Sequence, residues 1–231
     1  VVLITTKSGV SQTPKVSFSS NLEIATPYKK IRLLNFDEVL EYAEAVGYEL
    51  KSPETLDPRD WQDYTMRTAF STNNRLSISG KTKSTNYYVA LGYLDNHGIL
   101  KNTGVSQGDL RVNLDQKIGK FVKVGLKSSL THRVNMMTQG TEPGGTQNAS
   151  RATNMLRQML GSKPYVMTEE SPDYDEESLR GTDIWLENYD DIAREYRANV
   201  AAYVDVAFTS YLSFKSTFGV DYRYKERKRW Y

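Results

Sequence analysis

The sequence predicts an all-β fold, namely an antiparallel up-and-down transmembrane β-barrel segment with short helices in its external loops. Three observations predict it. Apolar and polar side chains alternate strictly in seven separate runs, which is the period of strands with one apolar side. Short and long connections alternate between these runs. Several runs reach about ten residues, which suits a tilted membrane crossing better than an ordinary globular sheet.

The clearest pair of runs lies in the stretch from Leu76 to Thr103. Leu76 and Ile78 share one face of the first run, and polar residues lie between and beside them. One face of the second run carries Tyr87, Val89, Leu91 and Tyr93. A polar turn at 80–85 joins the two runs, so this stretch is predicted to be a β-hairpin. In a barrel, these four residues face lipid and the turn is periplasmic.

The other connections follow the same order. The first strand covers 15–25, and long external loops are predicted at 26–73, 95–106 and 132–196. Shorter turns fall between them, as in barrels of the outer membrane. The basic run from Lys225 to Arg229 is predicted at the top of the last strand, where that strand enters a loop.

Two helices are predicted inside the long loops. Apolar residues recur at helical spacing over 36–46, and Asn35 with Glu38 three residues later forms a capping box at its start. Gly47 ends this helix, which we expect to pack on the barrel mouth. A shorter amphipathic helix is predicted over 151–160.

Composition excludes several classes of protein but leaves the compartment open. Thirty basic and 28 acidic residues give a formal charge of +2, which is too balanced for a nucleic-acid-binding protein. The chain has no Cys, so neither a disulfide framework nor a thiolate metal site is available. No run of 18 apolar residues exists, which excludes a transmembrane helix but not barrel strands. Sixteen tyrosines suit aromatic girdles, although sandwiches are also rich in tyrosine.

A soluble secreted β-sandwich with a carbohydrate-binding or structural role is the alternative. The two folds differ in what their apolar side chains contact. In a sandwich these side chains pack against a second sheet, whereas in a barrel they point outward into a band about 25 Å tall. The side chains that decide between the two are Val89, Leu91, Val112, Val124 and Phe218.

No catalytic site, metal site or cofactor is predicted. His97 and His132 are the only histidines, and neither has metal-ligand spacing or a partner for acid–base chemistry. The glycine-rich segment at 140–145 lacks the Lys and the strand-to-helix context of a phosphate loop. The sequence therefore does not predict an enzyme.

Several segments between residues 1 and 131 together resemble the SusC/RagA family of TonB-linked outer-membrane transporters. They are Val1–Gly9, Asp60–Asp63, Arg67–Ala69, Ser77–Gly80, Thr85–Leu94, Gly98–Gly104, Leu110–Asp115 and Val122–Leu126. The resemblance is specific over this part of the chain and fades over 132–196, as expected of variable external loops.

This resemblance implies a 22-stranded barrel, closed by an N-terminal plug, in the outer membrane of a Gram-negative bacterium. It also implies import of glycans, oligosaccharides or peptides with energy from TonB and with a SusD-like surface lipoprotein as a lid. On this basis residues 1–9 are the C-terminal end of the plug domain, 10–14 a linker and 15–231 the N-terminal part of the barrel. Because the chain opens on an apolar β run without Met, we expect a piece of a longer protein whose TonB-contacting part is absent here.

The segment from Glu169 to Asp191 is strongly acidic, with ten carboxylates and three aromatic side chains. A solvated external loop is the simplest interpretation, and contact with the SusD-like lid or with substrate are the alternatives. The candidate ligand-binding residues are Trp185, Asn188 and Tyr189, which can stack on and hydrogen-bond a sugar. Calcium is only weakly indicated. Oxygen ligands alternate at Asp173, Asp175 and Glu177, but the turn glycine of an EF-hand is missing.

Overall fold

A computed structural model describes residues 9, 11–50, 52–138, 155–168, 170–171 and 182–230. Within them the chain forms strands β1 (Lys15–Ala25), β2 (Leu56–Pro58), β3 (Ala69–Lys81), β4 (Thr85–His97), β5 (Gly104–Ile118), β6 (Val122–Met137), β7 (Tyr165–Met167), β8 (Asp190–Ala207) and β9 (Ser213–Trp230). The helices are α1 (Phe36–Ala45), α2 (Trp61–Thr65), α3 (Met155–Gly161) and α4 (Thr182–Asn188), and a 3₁₀ turn covers Pro53–Thr55.

Seven of these strands form one sheet in the order β1-β3-β4-β5-β6-β8-β9, and each pairs antiparallel with the next. We call one end of the sheet the turn end, because short turns connect the strands there. The other end is the loop end, which carries the connections 26–68, 98–103 and 138–189. The predicted antiparallel up-and-down arrangement of seven strands is confirmed.

The strands extend further toward the loop end than alternation predicts. The predicted loops 26–73, 95–106 and 132–196 are therefore shorter in the structure. The first ends where β3 begins, at Ala69, and the second lies between His97 of β4 and Gly104 of β5. The third lies between Met137, where β6 ends, and Asp190, where β8 begins. Apolar and polar side chains no longer alternate strictly there. The backbone ladder continues all the same, because hydrogen bonds between strands do not depend on side-chain polarity. The basic run 225–229 lies at the loop end of β9, as predicted.

One face of the sheet is apolar across its full width. Two adjacent rows of register partners cross all seven strands, namely Val16, Ile78, Val89, Val112, Ser128, Val200 and Val220, and Phe18, Leu76, Leu91, Leu110, Leu130, Ala198 and Tyr222. We call this side the apolar face and the opposite side the polar face.

The apolar face is exposed. Phe18 is 69% exposed, Leu91 53% and Phe218 72%. Within the described ranges the other sheet has two strands, β2 and β7, and neither lies against these side chains. This arrangement contradicts the β-sandwich alternative, which requires a second sheet over the apolar face.

The band of apolar side chains runs obliquely across the sheet. At the turn end the band begins at Val16 on β1. On β9 it begins at Phe214, six residues nearer the turn end than Val220, which lies in the same row as Val16. At the loop end it reaches Ile24 on β1 but stops at Tyr224 on β9. An offset of four to six residues over six strand spacings corresponds to a strand tilt of about 30° against the band. This tilt is close to that of outer-membrane barrels.

Aromatic side chains border the band at both ends. At the loop end the rings of His132 and Tyr196 stack at 4.5 Å, and Tyr196 lies 6.4 Å from Tyr224. At the turn end Phe121 and Tyr211 are 63% and 89% exposed. From Phe214 to Tyr224 the band measures roughly 25–30 Å along the normal to it, given the rise of a strand and the tilt above.

The predicted first helix is confirmed as α1. The Asn35 side chain accepts the Glu38 N–H at 2.9 Å and the Glu38 carboxylate accepts the Asn35 N–H at 3.0 Å, which is the predicted capping box. Gly47 follows with φ +69°, a conformation that favours glycine. Among the described helices, none has the length and hydropathy that a membrane span requires.

Candidate functional site

The described parts of the three loop-end connections pack together into one unit, which we call the loop assembly. Strands β2 and β7 pair antiparallel and so join the first connection to the third. Helices α2, α3 and α4 contact one another. A small apolar cluster of Leu100, Met155 and Leu186 lies between them, with one residue from the second connection and two from the third. These connections are therefore ordered by contacts with one another.

The Asp60–Trp61–Gln62 segment positions the start of α2. The Asp60 carboxylate caps the helix by accepting the N–H groups of Gln62 and Asp63 at 2.9 and 3.2 Å. The indole N–H of Trp61 donates to the Lys163 carbonyl at 2.6 Å. The Gln62 amide exchanges two hydrogen bonds with the backbone of Ile31, at 2.9 and 2.7 Å. This short motif thus fixes the positions of two distant parts of the chain.

Tyr64 is the residue at which all three connections meet. Its hydroxyl donates to the Glu187 carboxylate in α4. The cations of Arg59 and Lys101 lie 5.0 and 4.9 Å from its ring centroid, and Trp61 contacts it edge-on at 5.7 Å. The hydrogen bond to Glu187, together with burial, raises the pKa of Tyr64 to about 12.

An ion-pair cluster lies beside α2 on the outside of the loop assembly. Lys30 Nζ lies 3.1 Å from Asp60 and 2.5 Å from Asp63, and the hydrogen bonds to Asp63 and Asp60 raise the pKa of Lys30. Burial alone would raise the pKa of Asp60, but the Asp63 N–H and the Lys30 ammonium outweigh burial and lower it. Lys30 and Asp60 therefore both stay charged at neutral pH.

A cleft of about 680 Å³ lies between the 30–36 segment, α2 and α3. Apolar groups form most of its wall, namely Ile31, Leu33, Leu34, Phe36, Val39, Trp61 and Leu160. Its basic side chains are paired: Lys30 with Asp60, Arg32 with Glu38 at 2.8 Å and Arg59 with Asp57 at 2.6 Å. The cleft thus offers apolar contact surface with little uncompensated charge.

The predicted ligand-binding residues lie at the end of the third connection. Trp185 belongs to α4, but its side chain is outside the described part of the structure. Asn188 ends α4 and is exposed. Tyr189 is only 5% exposed, and its hydroxyl donates to the Asp191 carboxylate at 3.5 Å. The burial of Tyr189 leaves its ring facing the protein interior, and the role of the three residues stays a prediction. The calcium candidates at 173–177 lie outside the described residues.

Two glycines on the polar face allow side chains to meet across a strand. The Asp115 and Tyr203 side chains join at 2.6 Å above Gly125, which lies between them on β6. Arg75 approaches Asp109 to 4.0 Å in the same way above Gly92 on β4. Because a Cβ at either glycine would collide with these side chains, glycine is required for both contacts.

Sequence reasoning missed Tyr64 and the two most buried carboxylates of the polar face, Asp191 and Glu195. Tyr64 directly follows the Asp60–Asp63 motif, but its hydrogen-bond partner Glu187 lies 123 residues further along the chain. Alternation through β8 would have placed Asp191, Glu195 and Arg197 on one face had the strand been extended to residue 190. In the described ranges no group of three or more His, Asp or Glu side chains could hold a metal ion.

No family model matches the chain. The TonB-dependent receptor SusC of Bacteroides thetaiotaomicron is 37% identical over 116 residues, which cover 49% of this chain and 12% of that receptor. TonB-dependent receptor P3 of Formosa agariphila is 27% identical over 227 residues, which cover 95% of this chain and 22% of that receptor. The chain thus spans less than a quarter of the length of either relative. The predicted resemblance to SusC/RagA transporters is confirmed.

The fold also has a counterpart among solved structures. The RagAB peptide transporter matches with a TM-score of 0.70 at 16% identity, over 97% of this chain and 30% of that chain. The RagAB peptide importer in the 'closed-closed' state matches with a TM-score of 0.65 at 17% identity. At this identity the likeness concerns the fold, and it confirms the predicted class of antiparallel β-barrel segment.

Proposed function

We propose that this chain is part of a TonB-dependent importer in the outer membrane of a Gram-negative bacterium. One observation carries the proposal: seven long up-and-down strands present a continuous apolar face that nothing in the described structure covers. Lipid is the environment that suits a face of this kind, and the aromatic borders suit the two membrane interfaces. The apolar face then contacts lipid, the polar face lines the lumen, and the loop end lies outside the cell.

The chain supplies one part of a larger receptor. Residues 1–9 form the C-terminal end of a plug domain, 10–14 a linker and 15–231 the first strands of a 22-stranded barrel. The edges of β1 and β9 are unpaired in the described sheet, so further strands are needed on both sides to close a barrel. TonB acts on a part of the receptor outside this chain.

A SusD-like surface lipoprotein is the proposed partner at the loop end. The first connection exposes several large apolar side chains outside the sheet, among them Tyr28 at 100%, Tyr42 at 60% and Tyr48 at 64%. An exposed aromatic patch of this kind favours contact with another protein. The lid would cover the loop assembly and its cleft while substrate is held below.

The cargo is an oligosaccharide or a peptide, and the importer itself performs no chemistry on it. Peptide transport is the activity of the RagAB neighbours, whose fold this chain shares. The candidate contacts in the third connection, Trp185 and Asn188, suit a sugar equally well.

Deletion of the full-length receptor gene tests the proposed function. We expect the deletion strain to lose uptake of one class of labelled oligomer, and a strain without TonB to lose the same uptake. An affinity-tagged receptor should fractionate with outer membranes and co-purify with a lipoprotein. Unchanged uptake of all tested oligosaccharides and peptides, or recovery of the receptor in a soluble fraction, would contradict the proposal.

A further inference from the structure

The charge on the polar face is distributed unevenly between its two sides. On β1 and β3 the face is mostly neutral and carries hydroxyl and amide groups, namely Ser17, Ser19, Asn21, Ser71, Asn73, Ser77 and Ser79. On β6, β8 and β9 the loop-end half of the same face is basic, with Arg133, Arg197, Arg223, Lys225, Arg227 and Arg229. We call these six residues the basic cluster.

Two buried carboxylates hold four of these arginines in place. The Asp191 side chain is 1% exposed and binds Arg227 and Arg229, with Nε–O distances of 2.7 and 3.3 Å. The Glu195 side chain is 8% exposed and binds Arg223 at 2.9 Å together with Arg197. Because the Glu195 carboxylate is shared by two guanidinium groups, this pairing leaves one positive charge in excess.

The guanidinium groups stay accessible although they are anchored. The side chains of Arg197 and Arg223 are 50% and 56% exposed, and that of Arg229 is 41% exposed. Lys225 lies between the two pairings on β9 and forms no ion pair with the described part of the chain. Arg197, Arg223 and Lys225 against Glu195 leave a net charge of +2 at the centre of the cluster. The next acid on this face of β9, Asp221, lies two residues nearer the turn end than Arg223.

We propose that the basic cluster binds the anionic groups of an acidic oligosaccharide as it enters the lumen, an inference that rests on the proposed function. Anchored guanidinium forks match carboxylate and sulfate groups, and preorganisation by Asp191 and Glu195 reduces the entropy lost on binding. The neutral zone on β1 and β3 supplies hydroxyl and amide partners for sugar hydroxyls. The neutral groups and the positive surface lie on the same face of the sheet, three or more strands apart, and together they suit the hydroxyl and acidic groups of a sugar chain.

The position of the cluster gives it a role early in transport. It lies at the loop end of β8 and β9, which faces the outside in the proposed orientation. A net positive surface at this entrance raises the local concentration of anionic cargo and speeds its capture, and the effect weakens as salt is added.

Binding of defined oligomers to the full-length receptor in detergent tests the proposal. The probes are fluorescent tetragalacturonate, neutral maltotetraose and tetraglutamate. We expect tetragalacturonate to bind more tightly than either of the others at low salt. Lys225→Gln should weaken its binding at least threefold, and Lys225→Gln combined with Arg223→Gln at least tenfold. Lys228→Gln is the matched control, because it removes the same charge from the apolar face of the same strand, and it should change nothing.

Several results would overturn the proposal. Equal binding of tetragalacturonate and maltotetraose would mean that charge does not contribute to binding. Tighter binding of tetraglutamate would mean that the cluster binds an acidic peptide and not a sugar. If Lys225→Gln leaves binding intact but makes the plug domain more sensitive to trypsin, the cluster is a plug contact instead. TonB-dependent uptake of neutral oligomers alone would overturn this inference while leaving the proposed function intact. If deletion of the receptor gene changes no uptake at all, both are overturned.

Discussion

The sheet and the loop assembly are held together in different ways. Neighbouring strands of the sheet are joined by long ladders of backbone hydrogen bonds, most of them between segments close in sequence. The loop assembly depends on single side chains that reach far along the chain, from Trp61 to Lys163 and from Tyr64 to Glu187. A ladder tolerates the loss of one side chain, whereas the loop assembly has few contacts to lose. Five substitutions or conditions test this difference.

A lysine in the middle of the apolar face should have the largest effect. Val200→Lys places a charge in the central row of the band, and a lysine at the bilayer midplane costs about 2–4 kcal/mol. Urea unfolding of the full-length receptor in lipid vesicles measures this cost. Asn199→Lys is the matched control on the exposed polar face and should cost less than about 0.5 kcal/mol. Equal costs would contradict the assignment of the two faces.

Tyr64→Ala should loosen the loop assembly by about 2 kcal/mol and leave the sheet intact, because a half-buried ring and its two cation contacts are lost. Hydrogen exchange should rise together in α2, in 98–103 and in α4, since Tyr64 joins all three. Tyr28→Ala removes a fully exposed tyrosine and is the control. If exchange rises in α2 alone, the three connections do not form one unit.

Gly125→Ala tests a side-chain contact inside the sheet. The added methyl group displaces the Tyr203 ring and breaks its 2.6 Å hydrogen bond to Asp115, at a cost of about 1–2 kcal/mol. The same change at Gly108 on β5 meets no atom within 4 Å and should be neutral or slightly stabilising. The urea midpoints of the two variants are compared. A similar shift in both would contradict the claim that Gly125 is required for the contact between Tyr203 and Asp115.

Asn35→Ala should destabilise α1 by about 1 kcal/mol, because the variant loses one half of the capping box. Faster amide exchange confined to α1 is the expected result. Asn35→Asp keeps the acceptor oxygen and should exchange at the original rate. Faster exchange in α2 as well would mean that α1 and α2 open together.

Alkaline pH should produce the smallest and most local effect. The folded pKa of Tyr64, about 12, lies above the ordinary value of a tyrosine. Its contribution to stability is therefore complete below about pH 10 and is lost as the pH rises toward 12. Proteolysis of the loop assembly between pH 9 and 12 should increase, and Tyr64→Phe should lack this component. An identical pH profile in both proteins would contradict the link to Tyr64.

Most of the sheet could be predicted from sequence because period-two alternation is a local property. The seven strands, their faces and the turn at 80–85 all follow from residues close to one another, such as Leu76 and Ile78. The ends of the strands could not be predicted in the same way. Beyond Tyr93 and Tyr196 apolar and polar side chains no longer alternate strictly, while the backbone ladder continues.

The loop assembly and the basic cluster were hidden for another reason. The contact between Tyr64 and Glu187 joins residues 123 positions apart, and no local pattern encodes it. The basic run 225–229 was visible, but its alternate residues lie on opposite faces, with Arg227 inward and Lys228 outward. Charge segregation across a sheet becomes visible only once the register of β8 against β9 is known.

The oblique path of the apolar band determines how wide the barrel opens. A strand tilted by about 30° occupies roughly 5.5 Å of circumference, so the seven strands of this chain cover close to 40 Å of wall. The 22 strands proposed above would enclose an opening about 40 Å across, measured between backbones. The acidic oligosaccharide proposed above, at a few sugar units, is shorter than such an aperture is wide and would not have to enter it end first.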